Sequence, residues 1–291
     1  MIGWSIPLTA TTEAPQQLVS VVVPTRNNTR TLAACLASVR EQTYGAVELI
    51  VVDNYSSDDT ADIARRYADR VITAGPERSA QRNTGVDAAQ GDWVLWLDSD
   101  MVLPPGSIEA AVGTAHVSGA TGVALPERTI GDGFWTKCRA LERECYLTQP
   151  WLHNPRLVRR DFLAGDGGFR LDMSGPEDAD LRLRMHAVGA RIELADIVVD
   201  HDEGHLTLPD VLRKRYYYGR SIPALQDNHD GAVGSQGRAL LKSYVDGRGL
   251  LVRDPAHAAG MVLMRGMEVV GYALGARRGR RDRRTATQAP A

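Results

Sequence analysis

Trp93-Val94-Leu95-Trp96-Leu97-Asp98-Ser99-Asp100 decides the fold class, because five apolar residues run without a polar break and end on two carboxylates that bracket a small residue. An unbroken apolar run of that length reads as a strand buried on both faces, which is the signature of a parallel sheet. Open α/β sheets bind ligands outside the carboxyl ends of their strands, so Asp98, Ser99 and Asp100 emerge at a binding edge. Hard oxygen ligands at that place suit Mg²⁺ or Mn²⁺ carrying a diphosphate. Two Asp in a loop equally serve as turn formers or helix caps, and the pair alone does not separate these readings.

The segments on either side repeat one grammar. Residues 18–23 form a β-branched run ended by Pro24, followed by Leu32, Cys35, Leu36 and Val39 at helical spacing, with Asn28 or Thr29 as the cap. A second buried strand over 47–52 ends at Asp53, and Ser56 to Asp59 open a helix through Ile63, Ala64 and Tyr67. A short strand over 71–73, a helix over 77–89 and a turn at Gly91-Asp92 lead back to the opening stretch. Strand and helix alternate, so the chain is read as α/β with a mainly parallel central sheet flanked by helices. Further on, helices are expected over 107–117, 134–147 and 177–188, a strand over 120–125, an extended stretch over 156–163 and a last strand over 191–199.

With 291 residues, 43% hydrophobic and 24% charged, the chain has the make-up of a soluble enzyme. Residues 277–284 hold six Arg against one Asp, a net of +5, so the rest carries −7 of the formal −2. The basic end reads either as a solvated, disordered tail or as a contact for anionic lipid. An acidic body gives no footprint for nucleic acid. Cys35, Cys138 and Cys145 are odd in number and lack metal-type spacing, so they are read as reduced core residues. Neither a secretory leader nor a membrane span is legible, which points to the cytoplasm. Frequent Arg, Ala and Gly suggests a GC-rich bacterial genome.

Five segments in order, 19–28, 48–60, 79–100, 167–169 and 175–192, resemble the family-2 glycosyltransferases. The resemblance implies a GT-A fold over 18–220, with a nucleotide-binding half over 18–100 and an acceptor-binding half over 101–220. It leaves an extension over 1–17, a helical region over 221–276 and the basic tail over 277–291. It further implies transfer of a hexosyl or N-acetylhexosaminyl group from a nucleoside diphosphate sugar, UDP-linked by preference.

Each motif has a plain structural reading beside the functional one. Pro24, Thr25, Arg26 and Asn27 either form a strand-to-helix turn or meet the base and ribose. Asp53 either caps the next helix or accepts from a uracil-like base. Arg82 either is solvated or neutralises phosphate. Asp100 is assigned to the divalent ion, with Asp98 nearer the ribose or the ion. Glu177 and Asp178 open a helix, where the dipole favours a carboxylate. The resemblance makes this pair the source of the general base, with Asp178 first and Glu177 second. It also makes His201 a late metal ligand, with His205 in reserve. Arg213 to Arg220 gather four cations and three aromatics; Arg215 and Arg220 are assigned to the diphosphate or to an anionic acceptor, against a half-solvated helix.

Two departures from the family pattern shape the expectation. Gly167-Gly168-Phe169 continues as Arg170-Leu171 where Asp-Glu is frequent, which weakens the donor-sugar contact expected of the two glycines. The QxxRW pattern of processive members is missing, which favours addition of one sugar. Residues 256–275 are apolar apart from Arg265 and Glu268, and read as a packed helix or as an interfacial helix suited to a lipid-linked acceptor. A nucleotidyltransferase, or a sugar-nucleotide-binding protein without turnover, is the alternative. The first loop lacks the Gly-rich pattern of nucleotidyltransferases or dehydrogenases.

Overall fold

Side chains along β1 (Val19–Thr25) alternate between two hydrophobic layers, with Val19, Val21 and Val23 in one and Val22 in the other. The chain continues through α1 (Leu32–Arg40), β2 (Val47–Asp53), α2 (Thr60–Tyr67), β3 (Arg70–Thr73), α3 (Arg78–Ala88) and β4 (Trp93–Trp96). This is a computed structural model, and it describes residues 16–166, 168–229 and 232–288. β2 and β4 divide their residues between the same two layers, which is why the three strands read as apolar runs, interrupted only by Ser20 in β1 and Glu48 in β2. Gly85 lets α3 lie against the sheet, since a Cβ there would come within 2.2 Å of Val22 Cγ1.

Beyond the Asp98–Asp100 loop come β5 (Met101–Val102), α4 (Ser107–Ser118), β6 (Gly122–Ala124), β7 (Glu127–Asp132), α5 (Phe134–Glu144), β8 (Pro155–Arg159), α6 (Arg160–Asp166), α7 (Glu177–Ala187), β9 (Ile192–Leu194) and β10 (Val199–His205). The main sheet has the order β3-β2-β1-β4-β8-β6-β9, parallel except for β8, which runs against both neighbours. The expected mainly parallel sheet is therefore present. A second sheet, β5-β10-β7, was not foreseen. Its strands are two to seven residues long, and β7 is mostly exposed with no apolar alternation to announce it.

Three expectations are corrected. The stretch 156–163 is not extended throughout: β8 ends at Arg159, and α6 turns Leu163 into the core. The strand expected over 191–199 is two strands in different sheets, separated after Ala195 N donates to Ala124 O. The cap of α1 is Thr31, whose N–H donates to Asn28 Oδ1 at 3.3 Å.

The carboxyl-terminal part is helical: α8 (Leu208–Gly219), α9 (Ile222–Asn228), α10 (Ala232–Asp246), α11 (Arg248–Arg253) and α12 (Pro255–Gln288). The basic end is thus helical up to Gln288 rather than disordered, and the expected boundary at 276 falls inside α12. Arg278 and Arg220 pair with Asp282, and Arg283 pairs with Asp227 of α9, which fixes this end of the helix. α12 crosses α8 closely because Gly219 and Gly275 face each other, and a Cβ on Gly275 would lie 2.2 Å from Tyr216 O. Cys35, Cys138 and Cys145 are buried free thiols, as expected. The extension over 1–15 lies outside the described residues.

Candidate active site

The second sheet builds the site. β5 follows the Asp98–Asp100 loop directly, and its Met101 is the register partner of His201 on β10. Asp202 N donates to Asp100 O at 2.7 Å, and His201 Nε2 lies 3.4 Å from Asp100 Oδ2. His205, at the far end of β10, is exposed and faces Asp132 instead.

Beside this pair lies a buried network of charges. Arg82 on α3, wholly buried, donates from Nη1 to Asp178 Oδ1 at 2.6 Å and from Nη2 to Asp98 Oδ1 at 2.9 Å. Its guanidinium lies over Phe169, 5.1 Å from the ring centroid. Arg78 sits four residues earlier on the same helix face, 3.7 Å from Asp98 and 3.5 Å from Glu177, and donates to Tyr218 Oη at 2.7 Å. Arg156 on β8 donates to Asp98 and, at 2.6 Å, to Glu127. Arg143 on α5 joins Glu127 to Glu203.

The surroundings set the charge of each group. Burial raises the Asp98 pKa, but Arg156, Arg82 and Arg78 outweigh it and hold the carboxyl far below its usual range. Glu127 is held down in the same way by Arg156 and Arg143 against its burial. Burial and the Asp178 carboxylate push Glu177 up, although Arg78 and Arg82 pull the other way. Burial disfavours a charged His201, yet its hydrogen bonds to Asp100 and Glu127 hold it up at about 9.

Two cavities meet at these residues. One, of about 280 Å³, lies at the carboxyl ends of β1 and β4 and is lined by Pro24, Thr25, Arg26, Gln81, Ser99 and Asp100 among others. The other, of about 310 Å³, is lined by Glu127, His153, Arg156, Asp178, Glu203 and Arg215 among others. Arg78, His201, Lys214 and Tyr218 line both. Asp178 reaches the second cavity from the first turn of α7. Gly175 makes that start possible: its φ is +102°, and a Cβ would strike the Tyr218 ring at 2.3 Å.

Asp100 Oδ2 and His201 Nε2 converge on the first cavity and make a donor set that suits Mn²⁺ or Mg²⁺. No group of three or more such ligands occurs among the described residues, so a bound ligand and water would complete the shell. A metal bound there competes with the His201 proton.

The sequence-derived residues divide. Pro24, Thr25, Arg26, Ser99, Asp100 and His201 line the first cavity, and Asp178 the second. Asp98 lines the first cavity as well, with its carboxylate oxygens bonded to Arg82 and Arg156. Glu177 is 1% exposed and lines neither cavity, which removes it as a direct base. Asp53 closes a turn by accepting from Ser56 N at 3.0 Å and does not cap α2, whose cap is Asp59. Asn27 ties this turn to the first loop, accepting from Ser57 N at 2.9 Å. Arg215 donates to Glu268 of α12 at 2.7 Å and borders the second cavity rather than the first. Arg220 lies in a separate cavity beside Asp282. Gly168 is held by Asn83, whose side chain pairs with the backbone of Phe169 in both directions at 2.8 Å. Gly167 lies outside the described residues.

Sequence reasoning missed Arg78, Glu127, Arg143 and Arg156, while Lys214 and Tyr218 belong to the cluster over 213–220 and line both cavities. The four-residue spacing of Arg78 to Arg82 was the available signal for the first of them. The others sit on β7, α5 and β8, outside the recognised motifs.

Residues 20–170 match the family model described as Glycosyl transferase family 2. The chain is 28% identical over 232 residues to the pre-mycofactocin glycosyltransferase of Mycobacterium tuberculosis, covering 72% of this chain and 48% of that protein. It is 38% identical over 90 residues to a PGL/p-HBAD biosynthesis glycosyltransferase of Mycobacterium bovis, covering 28% of this chain and 35% of the relative. The chain thus spans about half the length of the first of these relatives, or less. Among solved structures, it is similar to the mannosyltransferase PcManGT from Pyrobaculum calidifontis in complex with GDP-Man and Mn²⁺. The TM-score is 0.60 and the identity 19%, covering 92% of this chain and 88% of that one. Staphylococcus aureus TarS 1-349 in complex with UDP gives a TM-score of 0.55 at 19% identity, covering 78% and 70%. Both show the shared fold.

Proposed function

The chain belongs to glycosyl transferase family 2, and from that premise we propose that it moves one sugar from a nucleoside diphosphate sugar to an acceptor hydroxyl, with inversion at the anomeric carbon. The observation that carries this reading is the division of the site: Asp100 and His201 face one cavity, Asp178 faces the other, and Arg82 bonds to Asp178 beside them.

In this reading the first cavity takes the nucleotide. Thr25, Arg26 and Ser99 meet base, ribose or phosphate, while Asn27 and Asp53 hold the loops that shape the cavity. UDP is the preferred nucleoside diphosphate, and a hexosyl or N-acetylhexosaminyl group the preferred cargo. Asp100 and His201 would hold Mn²⁺ or Mg²⁺, which when bound would supply Lewis-acid stabilisation of the departing diphosphate. Arg78 and Lys214 stand where the two cavities join and counter the charge that builds on the leaving group.

Asp178 takes the proton of the acceptor hydroxyl in the second cavity. Arg82 orients that carboxylate, and Arg156 and Arg78 keep Asp98 ionised so that the network stays rigid. The acceptor carries a hydroxyl, and the arginine- and lysine-lined wall of its cavity favours one with an anionic group. A lipid-linked acceptor meets both conditions. Release of nucleoside diphosphate from UDP-, GDP- and dTDP-sugars with Mn²⁺ tests the assignment. One donor turned over by the native chain and not by Asp100→Ala supports it. No turnover of any donor, with metal and acceptor extracts supplied, contradicts it and leaves a binding protein.

A further inference from the structure

The two charges within the apolar part of α12, Arg265 and Glu268, point inward. Glu268 is buried and accepts from Arg139 of α5, Arg215 of α8 and Arg265, and Arg265 also donates to Glu142 of α5. Arg265 and Glu268, the residues that interrupt this segment in sequence, thus leave the outer face unbroken. That face carries Ala259, Val262, Leu263, Gly266, Val269, Val270, Ala273 and Leu274, all exposed, with the five large side chains between 44% and 67% exposed. At the helical rise this apolar stripe runs roughly 22 Å. It continues at the same spacing into Arg277, Arg280, Arg281 and Arg284, also exposed.

The pairing of the arginines follows the same division. Arg278 and Arg283, off the stripe, pair with Asp282 and Asp227. The four on the stripe make no ion pair among the described residues. A soluble helix ordinarily buries its apolar face, and so large an uncovered stripe marks a contact surface.

We infer that α12 lies on an anionic lipid bilayer, its apolar stripe in the headgroup boundary and its four unpaired arginines against acidic lipid. Charge complementarity selects this occupant. A second copy laid parallel would set arginine against arginine, and one laid antiparallel would set arginine against valine and leucine. No described helix is long and apolar enough to cross a membrane, so the contact is one of lying on the surface. α8 joins this face to the second cavity: it packs on α12 through Gly219 and borders the cavity with Lys214 and Arg215. The inference needs no donor or acceptor, so its failure and that of the transfer reading are separable.

Co-flotation of the full chain with vesicles tests it. Phosphatidylcholine vesicles containing phosphatidylglycerol are expected to carry the protein at low salt, and pure phosphatidylcholine vesicles to carry little. The double variant Val269→Glu/Val270→Glu is expected to bind at least tenfold more weakly with an unchanged melting temperature, since both positions face solvent. Replacing Arg277, Arg280, Arg281 and Arg284 by Gln should do the same and remove the salt dependence. Absence of flotation with the anionic vesicles overturns the inference, as does flotation unaltered by the double variant. A chain that does not float but elutes as a dimer, which the double variant splits, overturns it in favour of a second copy.

Discussion

Arg82 donates to Asp178 at 2.6 Å from a position with no solvent exposure. The same guanidinium holds Asp98 at 2.9 Å, so one buried cation ties the end of β4 to the start of α7. Two carboxylates depend on it, with Glu177 a third at 3.6 Å. The bond joins two motifs nearly a hundred residues apart and gives the proposed base its orientation.

Removal of this cation takes the hydrogen-bonded partner from Asp178 and one of three arginines from Asp98. Arg82→Gln is expected to lose about 3–5 kcal/mol of stability, the usual cost of breaking one side of a buried ion pair. Urea unfolding reads it. A loss under about 1 kcal/mol would show that Asp98 and Asp178 find other partners.

Asp178→Asn keeps the shape and hydrogen bonding of the helix start while removing the acceptor of a proton. Transfer is expected to fall about 10²- to 10⁴-fold with nucleotide affinity nearly unchanged. Glu177→Gln, at a position that lines neither cavity, should act mainly on stability. Near-normal transfer by the Asn variant would remove Asp178 from the base role.

Gly85 sets the distance of α3 from the sheet, and α3 carries Arg78 and Arg82. Gly85→Ala forces a methyl against Val22 and is expected to cost about 1–3 kcal/mol by overpacking. Thermal unfolding checks this, and a melting temperature at or above that of the native chain would contradict the packing argument.

Acid should loosen the docking of α12. Burial opposes ionisation of Glu268, but Arg139, Arg215 and Arg265 hold its pKa at about 2, against an ordinary 4.5. A depressed carboxyl pKa gives stability that is fully present above about 4.5 and is lost as pH falls towards 2. The whole effect is of the order of 3 kcal/mol. Unfolding free energies across that window should fall less steeply for Glu268→Gln than for the native chain. Parallel slopes would show that the cluster is not what acid disrupts.

The first half of the fold was legible because β1, β2 and β4 are buried on both faces and carry their pattern openly in sequence. That Asp100, His201 and Asp178 come to line the two cavities was legible through motifs whose spacing survives in one chain. The second sheet was not, since β5 is two residues long and β7 alternates nothing, and with it went Glu127, the hydrogen-bond partner of His201. Arg156 and Arg143 were invisible for the same reason: their meaning lies in partners brought from distant strands. At Asp98 the sequence shows a carboxylate at the loop, which does line the first cavity, but not the three arginines that hold it there. The basic end looked disordered because the partners of Arg278 and Arg283, Asp282 and Asp227, take their meaning only once α9 and α12 are packed.

The most direct test is calorimetric titration of UDP, GDP and dTDP into the native chain and into Asp100→Ala, with Mn²⁺ and with chelator. One nucleotide should bind the native chain with Mn²⁺, and the binding should be lost with chelator and in the variant. Failure of all three to bind the folded native chain with Mn²⁺ would contradict the assignment of the first cavity to the donor.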